Sequence, residues 1–110
     1  MAAYRHLTLA VDGRVATLTV NRPDVRNALD TATVDEFHRA LDETRQARST
    51  VLIVTGAGEK AFISGADINA IRARTRDDAL AAINSRLMSA IESHAAVSIA
   101  AVNGYALGGG

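Results

Sequence analysis

A chain of 110 residues suits one small domain or a piece of a larger one, and at that size roughly 60–70% of the unfolded surface can be buried. Hydrophobic residues make up 48% and charged residues 22%, which argues against disorder, while 12 Lys plus Arg balance 12 Asp plus Glu, so no overall field draws the chain to nucleic acid or an anionic membrane. With no cysteine, disulfides, thiolate metal sites and a cysteine nucleophile are excluded.

The opening Met1-Ala2-Ala3-Tyr4-Arg5-His6 lacks the basic-then-apolar pattern of a signal peptide. No apolar run approaches the ~20 residues of a membrane span. The cytoplasm is the expected location. Residues 6–11 alternate, with Leu7, Leu9 and Val11 on one side, and predict a strand. Asp12-Gly13 signals a two-residue hairpin, and residues 14–20 make the return strand. Asn21-Arg22-Pro23-Asp24 breaks it, because proline cannot donate to a ladder.

A helix is expected to start near Asp30 or Thr31, capped by Asp30 directly or by a Thr33–Glu36 capping box. Val34, Phe37 and Leu41 recur at helical spacing, and Asp35, Glu36, Arg39, Asp42 and Glu43 are expected to face water. The apolar run Val51-Leu52-Ile53-Val54 reads as a strand buried on both faces, ended by Gly56-Ala57-Gly58. Residues 59–69 are less regular, with Asp67 opening a short helix through Ile71. Asp77 to about His94 predicts a second long helix with Leu80, Ile83, Leu87 and Ile91 as its apolar stripe. Ser98 to Val102 predicts another buried strand, and Asn103-Gly104 turns the chain. Strand, helix, strand, helix, strand after a hairpin argues for an α/β layered fold.

Two stretches carry possible chemistry. Lys60-Ala61-Phe62-Ile63-Ser64-Gly65-Ala66-Asp67-Ile68 follows one apolar strand, and Asn103-Gly104-Tyr105-Ala106-Leu107-Gly108-Gly109-Gly110 follows another. Each has a bland reading: a strand-to-helix loop with Asp67 as N-cap, and a flexible glycine tail. Neither is the dinucleotide fingerprint or a P-loop, which weighs against an unrelated α/β nucleotide binder. Ligands in α/β folds collect at the C-terminal ends of strands. Two glycine loops there can present two backbone N–H groups to one carbonyl oxygen, an oxyanion hole.

Residues 60–68 and Ile99 to Gly110 resemble the two signature segments of the crotonase superfamily, the enoyl-CoA hydratases and their relatives. Asn21-Arg22-Pro23 with Asn27-Ala28-Leu29 is similar to a third. The resemblance runs in order along essentially the whole chain. It implies the N-terminal part of a single crotonase-like (ββα-type) domain, residues 1–110, truncated at its C-terminal end. It implies Ala66 and Gly109 N–H as the oxyanion donors, Ala66, Asp67, Ile68 and Asn69 along the acyl-CoA, and Arg26 near the CoA phosphates or adenine. A surface loop arginine is the blander reading of Arg26. One departure is Val97-Ser98 where the family often has proline-valine.

The resemblance further implies hydration of a 2-enoyl-CoA in fatty acid metabolism, no cofactor beyond the CoA of the substrate, no metal, no membrane or nucleic-acid partner, and a homo-oligomer (trimer or hexamer) when full length. Double-bond isomerisation or thioester hydrolysis shares the same oxyanion hole and stays open. The family's two catalytic glutamates follow the glycine triplet, so a non-catalytic truncated chain without hydratase activity is also an expectation. His6, His38 and His94 lack metal-ligand spacing and are expected on the surface or on helices, and Arg72, Arg74 and Arg76 read as a solvated loop.

Overall fold

A computed structural model describes residues 4–65 and 77–110 of the chain. Strand β1 (Leu7–Asp12) runs antiparallel to β2 (Val15–Val20), with Leu9 opposite Leu18. The strand extends through Asp12, so the turn lies one residue later than the sequence signal placed it, at Gly13-Arg14. Gly13 has φ +59° and Arg14 is not among the positive-φ residues, which fits a II′ turn with glycine first.

A short 3₁₀ turn (Pro23–Val25) leads into helix α1 (Thr31–Gln46). Asp30 caps that helix directly. Its carboxylate accepts the Thr33 N–H at 2.8 Å and the Thr33 hydroxyl at 2.5 Å, so the Thr33–Glu36 box does not form. Glu36 is the larger departure, because it is buried rather than facing water. Its Oε1 accepts the backbone N–H groups of Arg5 and His6, the latter at 3.1 Å. The segment before β1 thereby finds an acceptor, which helix periodicity alone cannot reveal.

Strand β3 (Val51–Gly56) lies parallel to β2, and β5 (Val97–Ala101) parallel to β3, giving the order β1-β2-β3-β5. Buried Ala16, Leu18 and Val20 of β2 and Leu52 and Val54 of β3 share a core with Val34, Phe37, Ala40 and Leu41 of α1. Helix α2 (Asp77–Glu92) adds Leu87, with Ile83, Met88 and Ile91 packed against the cluster. Full burial of each large side chain contributes about 1.5–3 kcal/mol, so this shared core holds the sheet to α1 and α2.

Three expectations are corrected here. β3 buries one face only, since Val51, Ile53 and Thr55 are half-exposed. β5 is not buried: it is the edge strand and all five of its residues are exposed, Val97 at 65%. His94 is not a surface residue. It sits just beyond α2 and is buried, because its ring finds partners in α1 and at Ala96, just before β5. The less regular stretch after β3 also contains a strand that the sequence did not announce, β4 (Ala61–Ile63), buried throughout. It pairs in parallel with β6 (Tyr105–Ala106) as a separate two-stranded sheet.

Candidate functional site

The β4–β6 pair brings the two glycine loops together. Ala61 stands opposite Tyr105 and Ile63 opposite Ala106, and the Leu107 N–H donates to the Ile63 carbonyl at 3.2 Å. Gly65, two residues past β4, is buried with φ +105°, a conformation that side chains resist. A Cβ there would stand 3.0 Å from the Leu107 carbonyl oxygen and 3.7 Å from the Gly109 nitrogen. Gly110 fits tighter still, since a Cβ would fall 1.7 Å from the Ile63 carbonyl oxygen. Glycine at these points is a packing requirement, and the flexible-tail reading of the triplet fails.

Within this contact the Gly110 N–H donates to the Leu107 carbonyl at 2.7 Å. The neighbouring Gly109 N–H is different. Gly109 is exposed, and among the described residues its N–H has no hydrogen-bond acceptor. Ala66, Asp67, Ile68 and Asn69 lie outside the described residues, as do Arg72, Arg74 and Arg76. Gly65 is held from the other side as well: its carbonyl accepts the Leu29 N–H at 2.8 Å.

Beside Gly109 and Gly110 lies a cavity of about 210 Å³. Its walls are mostly apolar and include Leu29, Phe37, Val54, Phe62, Met88, Ile91 and Ile99. A second cleft of about 350 Å³ holds Arg26 together with Pro23, Gly58, Glu59 and Lys60. Arg26 and Gly109 therefore line different cavities. Strand β4 runs between the two, with Ala61 lining the Arg26 cleft and Ile63 the cavity beside Gly109.

Left-handed backbone at two successive non-glycine residues, Arg26 (φ 55°) and Asn27 (φ 57°), shapes the cleft. The turn is fixed by Arg22, whose guanidinium donates to the Ala28 carbonyl at 2.6 Å and stands 3.3 Å from the Asp30 carboxylate. Burial raises the Asp30 pKa, but the two Thr33 bonds and the charge of Arg22 outweigh it and leave that pKa below 3.8. Two residues not read as functional complete the arrangement. Asn27 is fully buried, and Asn103 follows β5. Both side-chain amides bond into the loop between β3 and β4. Asparagine at a turn signals backbone bonding in general, but nothing in the sequence says which carbonyl is bound.

Residues 11–110 match the family described as Enoyl-CoA hydratase/isomerase. Among curated relatives, the chain is 35% identical to a short-chain-enoyl-CoA hydratase of Clostridium acetobutylicum, covering 96% of this chain and 41% of that protein. It is 36% identical to a crotonyl-CoA hydratase of Syntrophomonas wolfei, covering 98% of this chain and 43% of that protein. Among solved structures, an enoyl-CoA hydratase/isomerase from Xanthobacter autotrophicus superposes with a TM-score of 0.88 at 33% identity, covering 97% of this chain and 42% of that one. The chain thus spans about two fifths of the length of the curated relatives it matches.

Proposed function

The chain belongs to the enoyl-CoA hydratase/isomerase family, and from that premise we propose that it forms the thioester-binding part of an enoyl-CoA hydratase. The Gly109 N–H, without an acceptor among the described residues and set against the Gly65 loop beside an apolar cavity, carries the reading.

Water adds to a 2-enoyl-CoA at the carbon β to the thioester carbonyl, and negative charge moves onto the carbonyl oxygen. An enolate results. Donors already aimed at that oxygen need no reorganisation as charge develops, and losing one typically costs about 2.7–4 kcal/mol. In this reading the Gly109 N–H is one donor and the Ala66 N–H the other, with Asp67, Ile68 and Asn69 along the acyl-CoA. The apolar cavity takes acyl carbons. Arg26, with Lys60 nearby in the other cleft, meets the anionic end of CoA. CoA enters as part of the substrate, and the reaction calls for no further cofactor.

The same reading makes the whole protein a cytoplasmic homo-oligomer of fatty acid metabolism. Among the described residues, no helix is long and apolar enough to cross a membrane. The test is a vibrational spectrum of a carbonyl-labelled 2-enoyl-CoA mixed with the chain. The expected result is saturable binding with the carbonyl stretch moved to lower frequency. Binding with an unmoved carbonyl, or no binding, overturns the oxyanion assignment. Isomerised substrate or released CoA thiol would replace hydration by one of the sister reactions.

A further inference from the structure

The amides of Asn27 and Asn103 converge on one backbone atom. Asn27 Nδ2 donates to the Ala61 carbonyl at 2.9 Å, and Asn103 Nδ2 donates to the same oxygen at 3.3 Å. A carbonyl has two lone pairs, so both bonds can exist at once. Each amide is anchored at its other positions. Asn27 Oδ1 accepts the Arg22 N–H at 2.9 Å, and its second amide hydrogen goes to the Ala57 carbonyl at 3.0 Å. Asn103 Oδ1 accepts the Gly56 N–H at 3.1 Å, and its amide also reaches the Gly58 carbonyl at 2.9 Å. Flipping either amide would set oxygen against carbonyl oxygens, so the network fixes both orientations.

Ala61 is the first residue of β4 and pairs with Tyr105 of β6. The two strands lead directly into Gly65 on one side and the Gly108–Gly110 turn on the other. The approach is close, with no slack. A Cβ on Gly56 would stand 2.7 Å from the Ala61 carbonyl oxygen, and one on Gly104 would stand 2.9 Å from the Ala61 nitrogen. We propose that Asn27 and Asn103 are positioning residues: by holding the Ala61 carbonyl between them, they set the spacing of the two glycine loops. The functional consequence, alignment of the donors on a thioester carbonyl, rests on the oxyanion reading above. The clamp itself does not.

Three variants of the full chain test this. Asn27→Gly keeps the left-handed backbone and removes the amide. Asn103→Asp keeps an acceptor for the Gly56 N–H and loses both donated bonds, and Asn103→Ala loses everything. The first readout is amide hydrogen exchange without ligand. Exchange at Tyr105 and Leu107, whose N–H groups bond the Lys60 and Ile63 carbonyls, is expected to rise about tenfold or more while β1–β2 amides stay within about twofold. Unchanged exchange at those two amides in folded variants overturns the clamp. A variant that unfolds outright raises exchange in β1–β2 equally; if all three do so, the role is global and the proposal fails.

The second readout is the carbonyl stretch of bound 2-enoyl-CoA. The parent chain is expected to lower it, and the variants to lower it less while still binding. Equal lowering in parent and variants overturns the positioning role. No lowering in the parent sinks the oxyanion reading instead, and the exchange result then decides the clamp alone.

Discussion

The Thr44 hydroxyl and the His94 imidazole meet at 3.0 Å in the buried space between α1 and the start of β5. The bonds around them assign every proton. His94 Nδ1 accepts the Ala96 N–H at 3.1 Å, so the ring proton sits on Nε2. Nε2 then donates to the Thr44 oxygen, and the Thr44 hydroxyl donates onward to the Leu41 carbonyl at 2.7 Å.

Replacing His94 by Leu strands the Ala96 N–H, a buried donor, and should cost about 1–3 kcal/mol of stability. His94→Asn, which retains an acceptor near Ala96, should recover part of that loss. Urea denaturation of the variants measures it. A His94→Leu chain as stable as the parent would show that the network contributes nothing.

Asp30 predicts an acid limb. Its folded pKa lies below 3.8, the value for the unfolded chain, so its contribution is fully present above that value. It is lost as pH falls below 3.8 through the folded value. Asp30→Ala should lower stability at neutral pH by about 0.5–2 kcal/mol through loss of the cap. Asp30→Asn keeps the acceptor and should flatten the acid limb. Chemical denaturation from neutral pH down to strong acid tests both, and an unaltered acid limb in Asp30→Asn would refute the assignment.

Gly56 and Gly13 should respond differently to alanine. A Cβ on Gly56 would lie 2.2 Å from the Phe62 carbonyl oxygen, a backbone atom that cannot swing away. Gly56→Ala should therefore cost about 3 kcal/mol, the upper end of overpacking. Gly13 meets open space, and only its φ of +59° resists a side chain, so Gly13→Ala should cost about 1–2 kcal/mol. Thermal unfolding ranks the two, and the reverse order would mean that close approach at Gly56 is relieved by backbone shifts.

Among the described residues β5 is an edge strand, and this makes a prediction about association. Val97 and Ile99 of β5 are exposed, as are Val102, Tyr105 and Leu107 in the residues that follow it. Unpaired N–H and C=O groups beside apolar side chains invite strand pairing. The chain should self-associate as its concentration rises. Val97→Lys should suppress this without loss of stability. Sedimentation velocity reads the outcome, and a parent chain that stays monomeric at high concentration would exclude the idea.

How much of this was legible depends on whether the cause was local. The β1–β2 hairpin, the Asp30 cap and the Val34-Phe37-Leu41 stripe follow from neighbours in sequence, and all three stand in the structure. The meeting of the glycine loops was legible as a possibility, since each follows a strand. What failed was decided elsewhere in the chain. Glu36 is flanked by Asp35 and close to Arg39, and groups distant in sequence, the N–H groups of Arg5 and His6, draw it inward. Three residues are too few to show a period, so β4 was invisible until β6 lay beside it. An apolar run such as Val97–Ala101 reports strand propensity, whereas its exposure is set by what packs over it.

The pairing of β4 with β6 also orders events in time. The first hairpin closes over two residues, but the second sheet must close a loop running from Ala61 to Tyr105, with α2 inside it. Loop closure costs more entropy as the loop lengthens, and non-local pairings are made late. During synthesis, Gly65 leaves the ribosome long before Gly109. The two glycine loops can therefore meet only once the chain has been made through β6, after the strands β1, β2 and β3.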